Sequence, residues 1–352
     1  MPSIVVALLL EVQVLISVRL GVSILLLILC SFGAVAQQPF DIDQLTPKEA
    51  FEKGELLRAQ FKDKEAREYL LYAAEEGNVN AQYLYAISLL TYHPSSRYQP
   101  MAVQNLLGAA KSGYRPAMFA LYSHQELLSR GEQAKWKQRY LESLLELAKN
   151  EASDADFYLY QFYNQEHGGD EEKAEKYFEQ ALKAEQPLAM YEQALNLQKG
   201  EGFYFFQSNR FEEMNEWLIK AANKGYIPAY RQLIQNYELD DDYKTAYQWR
   251  VQLLQQGDLL SLASMGNILL GHSAEGYDEF TDERLGLEYL SLYLTFAGQD
   301  RMGSAYDKAK ESYDRAFEKL TEAERKQHET LTLSQLDSVK FVYADRYFFN
   351  KI

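Results

Sequence analysis

The sequence predicts an all-α protein, a right-handed α-α superhelical solenoid of stacked helix pairs. Three observations carry that expectation. A nine-residue phrase recurs along the 352 residues at intervals of 32 to 40, with its clearest copies at Ala73–Ala81, Ala109–Ala117 and Ala221–Ala229. Each copy reads as a helix end, a Gly stop, a short turn and a new helix opening on Ala. The segment after each turn carries apolar residues at helical spacing, such as Tyr85 and Leu89 or Leu233 and Tyr237. No strand-like alternation stands out, and proline is sparse, with 8 in the chain. A helix pair repeated at this period cannot bury its apolar face alone and stacks on its neighbours. Arrays of this kind mostly bind rather than catalyse.

Residues 1–36 read as an export signal. Arg19 supplies the positive flank, Leu20–Cys30 is an apolar run broken only by Gly21 and Ser23, and Ala34-Val35-Ala36 offers a small-x-small cleavage site before Gln37. The expected location is therefore the periplasm, with an uncleaved inner-membrane anchor as the alternative. A lipoprotein would need a small residue before Cys30, where Leu29 stands. Residues 37–62 are expected to cap the array. Thr46-Pro47-Lys48-Glu49 has the N-cap, the first-turn proline and the reciprocal Glu of a capping box, which predicts a helix over residues 47–60.

The array itself is expected over residues 63–300. The last Ala of the phrase falls at Ala81, Ala117, Ala155, Ala189 and Ala229, then at Ser261. Four residues earlier stand Gly77, Gly113, Glu151, Glu185, Gly225 and Gly257. Glycine suits the left-handed turn that ends a helix, so the two Glu units should turn differently or with strain. In the helix before each turn a small residue recurs at Ala66, Ala102, Ala174, Ala246 and Gly286, where Tyr140 and Met214 break the rule. Three residues on sit Tyr69, Asn105, Ser143, Tyr177, Trp217, Trp249 and Tyr289. The small residue would let two helices approach, and the aromatic one turn later would fill the gap beside them. Residues 301–352 read as a helical C-terminal cap, in which Thr321 and Glu324 repeat the capping signature.

These residues resemble the Sel1-like repeats, relatives of the tetratricopeptide repeats. That family's unit runs roughly A-x3-LG-x2-Y-x2-G-x-G, then K-A-x2-WY-x-K-A-A-x2-G. The stretch from Leu197 is similar to it, with Gly200 and Gly202, then Trp217, Lys220, Ala221, Ala222 and Gly225. Lys244–Trp249 and Ser264-Met265-Gly266 are similar too, and the resemblance covers about residues 50–300. Two units have lost the Gly and most lack the G-x-G loop, which bears on local turns. The resemblance implies an exported scaffold or adaptor in a Gram-negative envelope. Its relatives include envelope-assembly scaffolds and immunity proteins that neutralise periplasmic toxins.

Charge and cysteine content exclude several chemistries. Lys and Arg total 36 against 51 Asp and Glu, a net charge of −15 that repels phosphate backbones and favours a basic partner. The single cysteine, Cys30, lies in the export segment, so the mature chain would hold no disulfide, no Cys-zinc site and no cysteine nucleophile. Some relatives of the resembled family are linked to β-lactam hydrolysis, but those are cysteine-rich, which argues against carrying that activity over.

The five His residues include no pair at i+3 or i+4, and no H-E-x-x-H, phosphate loop or G-x-S-x-G is present. Gly271–Gly276 only superficially suggests a nucleophile loop. The acidic clusters at Asp240–Asp242, Asp170–Glu172 and Asp278–Glu283 each precede a helix, where carboxylates cap free N–H groups. No catalytic residue, cofactor or metal is expected.

Aromatics are the remaining lead, with 27 Tyr, 18 Phe and 3 Trp. Most fit helix packing. Phe203, Tyr204, Phe205 and Phe206 fall in a loop, where periodicity gives apolar residues no reason to be. Two readings stand there, a docking knob or a loop folded back over its neighbours, and the second is the one the sequence favours. Phe341-Val342-Tyr343 would cover the exposed edge of the last repeat. The expected binding face is an inner surface built from each unit's first helix, carrying Tyr72, Gln104, Arg139, Lys176, Glu216 and Gln248 off the small/aromatic stripe.

Overall fold

The computed structural model describes residues 42–92, 99–124, 126–164, 169–273, 275–335 and 341. Residues 1–41, which include Cys30 and the expected export signal, His93, His167 and residues 342–352 lie outside the described residues. All regular structure described is helical. The α-helices are α1 (Pro47–Ala59), α2 (Asp63–Glu75), α3 (Val79–Tyr92), α4 (Gln99–Lys111), α5 (Arg115–Ser123) and α6 (Arg130–Leu147). They continue as α7 (Ala152–Tyr163), α8 (Glu171–Lys183), α9 (Pro187–Lys199), α10 (Gln207–Asn223), α11 (Ile227–Leu239) and α12 (Tyr243–Gln255). The last four are α13 (Leu259–Leu269), α14 (Glu283–Phe296), α15 (Gly303–Phe317) and α16 (Glu322–Gln335).

Each helix packs on its chain neighbours, which makes the fold an α-α solenoid. The repeated Ala explains why. Ala81, Ala117, Ala155, Ala189 and Ala229 are fully buried, and Ser261 nearly so. A side chain larger than a methyl at these positions would hold the next helix off. Thr46 closes its capping box on Glu49 at the start of α1, and Thr321 does the same with Glu324 before α16.

The turns follow the glycines. Gly77, Gly113, Gly225 and Gly257 have φ of 86°, 88°, 82° and 83°. After the first three, the next residue's N–H reaches back to the helix, as in Asn78 N to Ala73 O at 2.8 Å. The two Glu units depart in the two ways expected. Glu185 takes the same left-handed turn, with φ 53° and Gln186 N bonded to Ala181 O at 3.0 Å. Glu151 keeps φ at −132° and follows a looser turn over residues 148–150. A Cβ in the left-handed region is strained by about 1–2 kcal/mol. Glu185→Gly is therefore expected to raise stability by about 1 kcal/mol after the glycine's entropic cost. The exposed ion pair Glu185–Lys224 at 2.9 Å offsets little of that gain. A higher urea midpoint at unchanged slope is the readout, and an unchanged or lower midpoint contradicts the strain argument.

The small residues sit at close helix approaches, as the sequence anticipated. A Cβ on Gly286 of α14 would come within 3.0 Å of Gly266 O on α13, and one on Gly266 within 2.7 Å of Leu290 Cγ. These approaches join each second helix to the first helix of the next unit, so the tightest pairs straddle the inter-unit loop. The gap filler differs from expectation in most units. Trp249 is buried as expected, but Tyr69, Asn105, Ser143, Tyr177, Trp217 and Tyr289 are only half-buried, whereas Leu70, Leu106, Leu144, Leu218 and Leu290, one position further on, are fully buried. A step of one residue turns the side chain by about 100°, and the leucine is the one facing the seam.

The second helix of each pair is the more deeply buried one. Every residue of α3 from Tyr83 to Leu89 is buried, and α13 buries Leu259, Leu262, Met265, Gly266 and Leu269 around its circumference. The first helices bury one stripe, such as Ala102, Leu106, Ala109 and Ala110 of α4, and leave the opposite face in solvent. Adjacent second helices meet through tyrosines, with Tyr83 and Tyr114 rings 5.3 Å apart and Tyr191 and Tyr226 rings 5.1 Å apart.

The two ends of the array meet. Gly298 N donates to Gln60 O at 2.7 Å, and Lys64 N to Asp300 Oδ2 at 2.9 Å. Arg301 Nε lies 2.8 Å from Asp63 Oδ2 and its guanidinium also donates to Arg58 O. Arg58 Nε is 3.8 Å from Asp63 Oδ1, with both side chains almost wholly buried. Phe61 packs among Leu259, Leu262 and Leu290, and Phe341 meets Phe296 edge-to-face at 4.9 Å while touching the cores at both ends. A Cβ on Gly298 would strike Phe61 O at 2.6 Å, so the approach requires glycine there.

Candidate partner-binding surface

The aromatic loop is built by two glycines. Helix α9 ends on Gly200 with φ 101°, and Gly202 follows with φ 83°. Tyr204 then anchors the loop. Its hydroxyl donates to Glu213 Oε2 at 2.6 Å, and the Arg210 guanidinium lies over its ring at 5.3 Å. With Tyr204 turned inward, its neighbours turn outward. Phe203, Phe205 and Phe206 are 83%, 86% and 68% exposed, and the first two rings meet edge-to-face at 5.3 Å. The fold-back reading thus holds for Tyr204 alone. Tyr204 is the one aromatic of the four that the loop holds against the protein.

Beside this loop, α10 and α11 bound an open groove of about 660 Å³. Its floor is the buried pair Asn215–Asn236, joined at 2.7 Å and extended by Gln232 to Asn236 at 2.9 Å. Phe211, Ile219, Tyr237 and Leu239 give it an apolar lining, and Glu212, Glu216 and Asp240 supply charge. Leu239 is 76% exposed. Sequence reasoning missed these apolar residues. The available signal was Leu239, an apolar residue at a helix end just before an acidic run.

The six residues chosen on first helices are spread along the array on separate helices. Glu216 alone reaches the groove beside the aromatic loop. Tyr72 is half-buried and fastens the N-terminal segment, its hydroxyl donating to Leu45 O at 3.0 Å. Gln104 lines a second groove, of about 890 Å³, between α2 and α4. Arg139 stacks over Trp136 at 4.9 Å and Lys176 over Tyr177 at 5.7 Å. Gln248 is exposed on α12. The second helices, apolar all round, are the more buried, and the one-sided first helices keep a face in water.

Other chemistry-bearing features are absorbed by structure. Asp170, Asp242 and Asp282 each accept a backbone N–H at a helix start, at 3.1, 3.0 and 3.0 Å, and the side-chain bonds from Lys173 and Thr245, with these backbone bonds, hold Asp170 and Asp242 below the usual carboxylate range. In the Gly271–Gly276 region the chain enters a 3-10 helix, Glu275–Phe280. Tyr277 there is buried against Glu238 and Arg250, with its hydroxyl 3.1 Å from Arg250 Nε. A cavity of about 290 Å³ lies between Tyr114, Tyr140 and Tyr158. Burial pushes the Tyr114 phenol up to about 12 and Tyr158 upward as well, so both stay neutral donors. Among the described residues no three His, Cys, Asp or Glu side chains converge as a metal would require, and no helix is long and apolar enough to cross a membrane.

The structure defines an α-α helical-repeat solenoid, and its repeat is Sel1-like in the small residue of the first helix, the Gly turn and the buried Ala of the second helix. No family model matches the sequence, and no curated protein does. Solved structures similar to it include a Sel1 repeat protein from Oxalobacter formigenes, at 19% identity over 87% of this chain and 88% of that one, with a TM-score of 0.39. A protective antigen of uropathogenic Escherichia coli with an SLR fold is 16% identical over 87% of this chain and 80% of that chain, TM-score 0.32. An immunity protein from Pseudomonas aeruginosa is 18% identical over 62% of this chain and 82% of that chain, TM-score 0.41. Overlaps this loose carry no argument on function, and the helix packing described above carries the fold.

Proposed function

We propose that this chain is a non-enzymatic, exported protein-binding scaffold or adaptor that engages its partner through the outer surface of the array. The observation that carries the reading is the aromatic loop. Phe203, Phe205 and Phe206 stand in solvent while Tyr204, between them, is tied down by Glu213 and Arg210. Contiguous exposed apolar groups are rare on soluble monomers and are typical anchors at interfaces. A loop held in place loses little entropy when it binds. Neutralising a basic toxin is one form such binding could take, since the net charge of −15 would speed association with a cation-rich surface.

The test is affinity capture from envelope extracts with the wild-type chain and with the Phe203→Ser/Phe205→Ser variant. The expected outcome is a partner recovered by the wild type and depleted about tenfold with the variant, at equal melting temperatures. Each exposed anchor need contribute only about 0.7 kcal/mol for that loss. Equal recovery by both forms would sink the reading.

A further inference from the structure

We infer that the α10/α11 groove and the adjoining aromatic loop together take an amphipathic helical segment of a protein partner, apolar along one face and flanked by Lys or Arg. This rests on the reading of the chain as a protein-binding scaffold and specifies the chemistry of what it binds.

Shape gives the first argument. The groove runs along α10 from Gln207 to Ile219, about 18 Å at 1.5 Å per residue, which matches about three turns of a helix. Its floor is preformed, because Asn215 and Asn236 already satisfy each other and ask nothing of a ligand. Its walls offer Phe211, Ile219, Tyr237 and the exposed Leu239. Phe206, the N-cap of α10, stands exposed at one end, so the apolar strip continues from the groove onto the loop. An apolar helix face laid into such a groove is a recurring recognition mode.

Charge gives the second, and it selects the partner. Glu212, Glu216 and Asp240 line the groove, and no Lys or Arg does. Among the described residues none of the three forms an ion pair, although this chain pairs many other carboxylates. Glu212 and Glu216 are also one helical turn apart on the same face, a like-charge spacing that costs the isolated helix a few tenths of a kcal/mol. Cations from a partner would relieve that repulsion. The same carboxylates disfavour an anionic bilayer, a nucleic acid or a second copy of this chain, whose net charge is −15.

The experiment titrates a fluorescein-labelled Lys/Leu amphipathic peptide of about four helical turns, and its Glu/Leu counterpart, into the mature chain at low salt. Saturable binding of the Lys/Leu peptide is expected, weakening with added salt. Glu212→Lys/Glu216→Lys should weaken it about tenfold, and Leu239→Ser several-fold. Glu175→Lys/Glu179→Lys, the same charge change at the same spacing on α8, should leave it unchanged. Melting curves confirm that the variants fold. Equal affinity for the Glu/Leu peptide, or equal loss in the two charge reversals, overturns the inference. So does binding of phosphatidylglycerol vesicles through Phe205 without peptide binding. Capture of a partner through Phe203 and Phe205 that ignores charge reversal at Glu212 and Glu216 also overturns it, while the scaffold reading stands. Absence of both captured partner and bound peptide overturns the two together.

Discussion

Asp63→Ala is expected to lower stability by about 3–5 kcal/mol. Asp63 sits 2.8 Å from Arg301 and 3.8 Å from Arg58, and removing it leaves two guanidiniums facing each other in the seam between the array's ends. Arg301→Ala should cost a similar amount. The double variant should cost clearly less than the sum, because both changes break one buried cluster. Urea unfolding followed by far-UV circular dichroism measures all three. Additive losses would mean that the seam is not a unit. An open solenoid touches only nearest neighbours, so its two ends are coupled only through the repeats between them. Closure through residues 58–64 and 298–301 couples the first helices to the last, and the urea slope should fall when it is broken.

The pH dependence has a definite sign. Burial raises the Asp63 carboxyl above its ordinary range, against the opposing pull of Arg301 and Arg58. A carboxyl whose folded-state value lies above its unfolded value takes up protons more readily when folded. Its contribution to stability therefore grows as pH falls and shrinks as pH rises through the folded value. Acid is not expected to open the closure by titrating Asp63.

The second large effect separates neighbouring residues. Leu144→Ala is expected to cost about 2–5 kcal/mol, and Ser143→Ala about 1 kcal/mol or less. Leu144 is fully buried, whereas Ser143 is half-buried and only returns a hydrogen bond to Tyr140 O at 2.7 Å. The same contrast should recur at Leu106 and Asn105. Equal costs at the paired positions would restore the residue three after the small one as the filler of the inter-helix gap.

Local patterns were legible and their spatial sum was not. The buried Ala, the left-handed Gly turns, the capping boxes and the small residue at Gly286 each depend on a few neighbouring residues, so the sequence displays them directly. The strain at Glu185 follows from the same logic. The leucine filler was missed because positions three and four residues along a helix share a face, and only the packed partner decides which one points inward. Closure joins Asp63 to Arg301 across 238 positions and depends on small rotations added over every unit. The aromatic loop was identified from its lack of periodicity, while its direction turned on one hydrogen bond, Tyr204 to Glu213.

The most direct measurement is photo-crosslinking in the cell from a benzophenone side chain placed at Phe205, with Gln180 on the exposed side of α8 as the comparison site. Binding through the aromatic loop predicts a discrete crosslinked protein from position 205 and none from position 180. No adduct at either position, or the same smear at both, would contradict a partner-binding role for this loop.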